Sequence, residues 1–226
     1  MLEDILRRHR SHFYRIVPFY EKSDSISVLD LSENNPHLSP EIFENTALFS
    51  NYIDEMLQQS GARYGVGGYL ENRNLYTRSK VFDATPESTE PRTLHLGLDI
   101  WGEAGTPVIA PLDGMVHSKG NHTEFGNYGA TVILQHQLED QLFFTLYGHL
   151  SQKDLSLQIG SHIVKGEVFA HFGRPEENGH WPPHLHFQII RDLGDHMGDY
   201  PGVCSPSSKG YYSANCPNPD LMVKWK

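Results

Sequence analysis

His184 and His186 stand one residue apart in the alternating run His184-Leu185-His186-Phe187-Gln188-Ile189. In an extended strand, side chains i and i+2 share a face. Both imidazoles and Gln188 therefore point one way, and Leu185, Phe187 and Ile189 point to the other, apolar side. The two histidine Cα atoms would lie roughly 7 Å apart. One ring could hold a metal while the other stays free to move a proton. Alone, such a pair is an ordinary surface or core feature; its weight comes from its company. His95-Leu96-Gly97-Leu98-Asp99 sets a histidine and a carboxylate four apart. Gly97 and the flanking Thr-Leu and Ile-Trp argue against a helix, and a straight strand would hold their Cα atoms about 13 Å apart. Zinc donors sit about 2.0–2.2 Å from the ion, so the strand must bend, and Gly97 permits the bend. Tyr147-Gly148-His149-Leu150 ends a further run, with Leu142, Phe144 and Leu146 on one face and Thr145, Tyr147 and His149 on the other.

A His, Asp, His set with a fourth position left for water is the pattern of a catalytic rather than a structural zinc. Zinc lowers the pKa of water towards about 7. The surplus histidines would serve as general base and acid and as a donor to an oxyanion. Spacing alone leaves open which of His184 and His186 takes the metal. The sequence has no His-Glu-x-x-His, no Gly-x-Ser-x-Gly and no Walker loop.

These residues need elements to position them. With 226 residues and 38% hydrophobic content, the chain can build one large or two small domains. The net charge of −10 argues against nucleic acid or an anionic membrane as the main partner. No apolar run reaches the ~18–20 residues of a transmembrane helix. The N-terminal stretch lacks the apolar core of a secretory signal, so the chain as written points to the cytoplasm, or to the periplasm or cell envelope if a signal has been removed. Cys204 and Cys216 make neither a disulfide framework nor a zinc motif and read as free thiols.

Residues 1–17 have helical apolar spacing, with Pro18 beyond. A second helix follows Ser39 and Pro40 and stops at Gly61, with a stripe of Phe43, Leu48, Tyr52 and Met56 beside Phe49 and Ile53. Ser25–Leu31 reads as a short strand. After residue 61 the chain becomes short β-like runs broken by Gly, Pro, Asp and Asn. Stretch 106–118 reads as two strands turning at Asp113-Gly114, and 130–150 as a hairpin turning at Glu139-Asp140. Stretch 162–173 reads as a hairpin turning at Lys165-Gly166, and 184–190 as the last strand. The expected fold is mainly β (α+β overall): a helical extension over 1–61, an antiparallel β domain over 62–192, and an irregular tail over 193–226 packed on it.

The motifs HLGLDI, GTPVIAPLDGMV, YGHLS, the Gly160…Lys165-Gly166 turn and HLHFQI occur in this order over roughly residues 92–190. In this the chain resembles the lysostaphin-type (LytM-type) zinc metallopeptidases, the β-lytic endopeptidases of bacterial cell walls. The resemblance implies that His95, Asp99 and His186 bind one zinc ion per chain. It also implies that His149 and His184 are the catalytic pair, and that the substrate is peptidoglycan or a related Gly- or D-amino-acid peptide lying extended in a narrow groove. Two departures bear on this. Such enzymes are usually exported, and Gly179-His180-Trp181-Pro182-Pro183 forms a bulky lip, with His180 expected to line the groove. In some members an upstream asparagine blocks the zinc, a role open to Asn72 or Asn74. The competing readings are a cytosolic zinc hydrolase of a small amide and an inactive regulatory module of the same fold.

Overall fold

The computed structural model describes residues 1–84 and 89–225; residues 85–88 of the expected β domain and residue 226 of the expected tail lie outside the described residues. The strands are β1 (Ile26–Leu29), β2 (Tyr64–Gly67), β3 (Leu94–His95), β4 (Leu98–Trp101), β5 (Pro107–Ile109), β6 (Gly114–His122), β7 (Gly129–Leu138), β8 (Gln141–Leu150), β9 (His162–Ile163), β10 (Val168–His171), β11 (His184–Ile190) and β12 (Val203–Cys204). The helices are α1 (Leu2–Arg8), α2 (Pro40–Glu44), α3 (Thr46–Ser60) and α4 (Lys209–Asn215). Among the described residues, eight strands form one sheet in the order β1-β2-β4-β11-β8-β7-β6-β9, and β10-β5 and β12-β3 form two small ribbons. Every described pairing is antiparallel except β1 with β2, which is parallel. No described helix is long and apolar enough to cross a membrane.

Strand β11 lies inside this sheet because its alternation suits two neighbours and two faces. Leu185, Phe187 and Ile189 join Leu98, Ile100, Val132, Phe143 and Tyr147 in the largest apolar cluster. Leu2 and Leu6 of α1 and Leu221, Met222 and Val223 near the other end of the chain pack into the same cluster. The opposite face of β11 carries His184, His186 and Gln188, as the period-2 pattern requires. Helix α3 brings Phe49 against Trp101 and Trp181, at ring separations of 5.9 and 6.4 Å.

Several local expectations give way to tertiary contacts. The helix expected over 1–17 ends at Arg8, followed by a 3-10 turn. Beyond it the chain runs along the 107–111 stretch, where Tyr14 N donates to Pro111 O and Ile109 N donates to Ile16 O. Phe13, Ile16 and Val17 are buried all the same. The second helix is broken at Asn45, whose φ of −102° and ψ of 115° leave the helical region. Its side chain accepts from Ala47 N and Leu48 N at 2.9 and 3.1 Å, capping α3, a device worth about 1 kcal/mol. Ser39 makes no such bond, while Gly61 closes α3 in the left-handed region at φ 62°. The break also turns the buried stripe to Phe49 and Ile53 and leaves Leu48 exposed.

The hairpin at Glu139-Asp140 forms as expected, pairing Leu138 with Gln141. The other two expected hairpins do not form. Strand β5 pairs with β10, and β6 with β7 and β9. The turns at Asp113-Gly114 and Lys165-Gly166 therefore pass the chain between sheets rather than back along one. The tail, expected to be irregular, contains β12 and α4.

Candidate active site

The register of the sheet builds the site. On β11, His186 lies opposite Asp99 of β4 on one side and Gly148 of β8 on the other, and His184 lies opposite Trp101. Directly opposed side chains in an antiparallel pair have Cβ atoms about 4.5–5.5 Å apart, so Asp99 and His186 meet without any special loop. His95 arrives differently. Its strand stops at Leu96-Gly97 before β4 begins, and β12 pairs with it through Val203. Gly97 is required there for room: a Cβ on it would lie 2.4 Å from His186 Cε1 and 2.9 Å from the Phe187 carbonyl oxygen.

The outcome is a tight cluster. His95 Nε2 lies 3.1 Å from Asp99 Oδ1, His186 Nδ1 lies 3.2 Å from the same oxygen, and the two nitrogens are 2.9 Å apart. The outer nitrogens are already committed. His95 Nδ1 donates to Gly68 O at 2.9 Å, and His186 Nε2 donates to Gln188 Oε1 at 3.0 Å. Gln188 is oriented in turn, because its Nε2 donates to Pro201 O at 3.2 Å. Each neutral ring has one N–H. With both N–H groups spent outward, two bare nitrogen lone pairs and a carboxylate oxygen face one another. That donor set fits a divalent cation and repels itself without one.

Asp99 is held by a residue that spacing did not reveal. Arg73 Nη1 donates to Asp99 Oδ2 at 2.6 Å, Arg73 Nε donates to Glu71 Oε2 at 2.6 Å, and Arg73 is 1% exposed. Burial would raise the Asp99 pKa, but His95 and Arg73 outweigh it and hold the carboxyl well below its ordinary range. Burial, aided by the Arg73 charge, pushes His95 down to about 4. From the segment expected to supply a blocking asparagine, it is Arg73 that reaches the site. Asn72 bridges Leu94 in a β-contact, and Asn74 is exposed at the start of a 3-10 turn.

His149 and His184 form a second pair. Their rings are 4.2 Å apart, and His184 stacks on Trp101 at 3.9 Å. His149 Nδ1 donates to Asn178 O at 2.8 Å, and His184 Nδ1 donates to Pro182 O at 2.7 Å. Each Nε2 is left as an acceptor. Burial pushes His184 down to about 4; burial and then the neighbouring His184 push His149 well below the ordinary histidine value. His149 does not share a face with Thr145 and Tyr147 as expected. The β7–β8 register shifts between Ala130 and Val132, and His149 has φ 60°. This bulge rotates the ring onto the face of His186 and returns Leu150 to the core beside Tyr147. A non-glycine residue in the left-handed region costs of order 1–3 kcal/mol, and such strain gathers at functional sites.

The two groups share a cavity of about 250 Å³ with walls from Trp101, Tyr128, Trp181, Tyr200 and Gly202. The lip expected before His184 supplies Trp181. His180 instead stays exposed and stacks on Phe125 at 5.4 Å. Cys204 and Cys216 are buried free thiols, and burial pushes them up to about 11 and about 12.

Residues 93–198 match Peptidase family M23. An uncharacterised metalloprotease of Haemophilus influenzae is 37% identical over 95 residues, covering 42% of this chain and 18% of that protein. The DD-carboxypeptidase/endopeptidase Mpg of Neisseria meningitidis is 35% identical over 95 residues, covering 42% and 20%. An L-Ala–D-Glu endopeptidase of Bacillus subtilis is 27% identical over 108 residues, covering 46% and 31%. The chain thus spans less than a third of these relatives. A zinc-containing peptidase of Vibrio cholerae aligns over 48% of this chain and 30% of its own at 25% identity, with a TM-score of 0.36.

Proposed function

We propose, on the match of residues 93–198 to Peptidase family M23, that this chain is a zinc-dependent hydrolase of peptide bonds. His95, Asp99 and His186 hold one zinc ion, and His149 and His184 are the catalytic pair. One observation carries the reading: two histidine lone pairs and a carboxylate oxygen converge while both outer N–H groups are spent on carbonyl oxygens.

When bound, zinc supplies the charge that makes water acidic and polarises a carbonyl. The protein's own side chains supply the rest. His149 and His184 begin neutral, with Nε2 free, so either can take the proton of an attacking water. Once protonated, the same Nε2 can donate to the tetrahedral oxyanion or to the departing amine. The backbone carbonyls of Asn178 and Pro182 fix the tautomer of each ring and stabilise its protonated form. Arg73 keeps Asp99 ionised and turned so that Oδ1 faces the two histidines. Retention of all five residues favours an enzyme over an inactive module of the same fold. The relatives' names favour peptidoglycan stem or cross-link peptides, or related Gly and D-amino-acid peptides, as substrate, which would place the work in the cell envelope.

The test is metal content together with hydrolysis of muropeptides and Gly or D-amino-acid peptides, followed by the release of new amines. His95→Ala and His186→Ala should lose zinc and activity. His149→Ala should keep zinc and lose turnover. Unimpaired activity in His149→Ala would refute the assignment.

A further inference from the structure

The five side chains that must meet a scissile bond are almost sealed. His95 is 1% exposed, Asp99, His184 and His186 are 3% each, and His149 is 7%. A polymer lying in an open groove needs such groups on an accessible floor. Here they open on a cavity of about 250 Å³. An apolar cavity of about 150 Å³ holds one benzene ring, and pockets for drug-sized ligands begin at about 300 Å³. An extended strand advances about 3.3 Å per residue and needs a channel open at both ends. The space suits a peptide of two or three residues.

The wall on one side of it is laced in place. The 3-10 turns Asn74–Arg78 and Lys80–Phe82 contribute Leu75, Tyr76 and Phe82 to the lining. Arg78 Nη2 donates to His180 O at 3.1 Å and to Thr46 Oγ1 at 3.0 Å. Its guanidinium lies 4.7 Å from the Phe125 ring centre and 4.6 Å from that of Trp181. Ser79 Oγ donates to Phe125 O, and Trp181 Nε1 donates to Asn127 O at 3.2 Å. Segment 74–82 is thereby tied across to the loops that follow β6 and precede β11.

Besides the paired Arg73 and Asp99, two further charges line the same cavity, Arg92 and Asp199, both half-buried. Arg92 is steadied by a bond to Val81 O and by the Phe82 ring 5.5 Å away. Among the described residues, neither Arg92 nor Asp199 belongs to an ion pair. A small cavity that carries, beyond the Arg73–Asp99 pair, one further cation and one further anion suits a short molecule with a charge at each end.

Resting on the hydrolase reading above and refining it, we infer that the substrate is a free peptide of two or three residues rather than a cross-link within a polymer. Arg92 takes its terminal carboxylate and Asp199 its terminal ammonium. Hydrolysis adds one water across the amide, giving a new carboxylate on one product and a new amine on the other.

The zinc-loaded chain is assayed on diglycine, triglycine and D-Ala-D-Ala, on their N-acetyl and C-amide forms, on pentaglycine and on intact sacculi. Free di- and tripeptides should show kcat/KM at least tenfold above the capped forms and pentaglycine, and sacculi should stay insoluble. Arg92→Gln should raise KM at least tenfold for free-carboxylate substrates and leave the C-amides unchanged; a packing defect would move both. If sacculi or capped peptides are cut as well as free dipeptides, the inference is wrong and the hydrolase reading stands. If nothing is cut, the hydrolase reading falls. The size and charge claim is then decided by calorimetry with a phosphinic dipeptide isostere, free or capped at both ends. Preference for the free form supports it, and equal binding or none overturns it.

Discussion

Replacing Gln188 with leucine should weaken zinc binding by a calculable amount. Gln188 Oε1 accepts from His186 Nε2 at 3.0 Å, and this bond keeps the proton off Nδ1, the nitrogen that faces Asp99 and His95. In Gln188→Leu the metal-free protein has an escape. The proton can move to Nδ1 and be donated to Asp99 Oδ1, 3.2 Å away. The zinc-bound protein has only a poor one, because Nδ1 is taken and Nε2–H is left with the Tyr128 hydroxyl at 3.5 Å, too long for a good bond. A buried unsatisfied donor costs about 1–3 kcal/mol. Because that penalty falls on the bound state alone, affinity should drop about 5–150-fold at about 1.4 kcal/mol per factor of ten. This agrees with the roughly 10–100-fold effect usual for such supporting residues. Loss of the Gln188–Pro201 bond burdens both states equally and leaves the ratio alone. Competition against a chromophoric chelator measures the affinity, and circular dichroism checks the fold. A folded Gln188→Leu protein that binds zinc within threefold of wild type would show that the tautomer argument is mistaken.

Three further outcomes follow from the same structure. Arg73→Met strips a buried cation from Asp99 and Glu71. Breaking such a pair costs about 3–5 kcal/mol, or roughly 6–20 °C in Tm for a chain of this size, which differential scanning calorimetry of the chelated protein will register. Gly97→Ala drives a Cβ to 2.4 Å from His186 Cε1; zinc affinity, measured by the same competition, should fall at least tenfold as the ring is displaced. His136 is 1% exposed, and burial pushes it down to about 4. Between about pH 6.5 and 4 the unfolded chain binds a proton that the folded chain refuses, so stability is full above this window and declines as pH falls, by about 2 kcal/mol at pH 5. Urea unfolding of metal-free wild type and His136→Phe at pH 7 and pH 5 should show a loss smaller by that amount in the variant, and equal losses would refute it.

What could be read in advance was whatever depends on local period. The alternation of 184–190 gave both faces of β11 and put His184, His186 and Gln188 together, because a period of two has one physical reading once one face is buried. His95 and Asp99 could be joined only by a bend at Gly97, and the chain does break there. Residues whose placement depends on distant partners were harder. The inserted residue at His149 reverses its face, and nothing in Tyr-Gly-His-Leu announces a register shift against β7. Asp113-Gly114 has the chemistry of a hairpin turn, yet β5 finds a better partner in β10 some sixty residues on. Arg73 lies in a polar stretch with no signal of its own; a buried cation becomes visible only with the acids it neutralises. Asn45 could have been found, since an asparagine before Thr-Ala-Leu is an ordinary helix start, but the stronger stop and start signals at Pro40 and Gly61 hid it.

The apolar cluster beneath β11 draws on both extremes of the chain, Leu2 and Leu6 together with Leu221, Met222 and Val223. The floor under the histidines is therefore complete only when both of these distant groups are docked on it. Segments far apart in the sequence thus complete one floor, and loosening any of them unsettles the strand that carries the histidines.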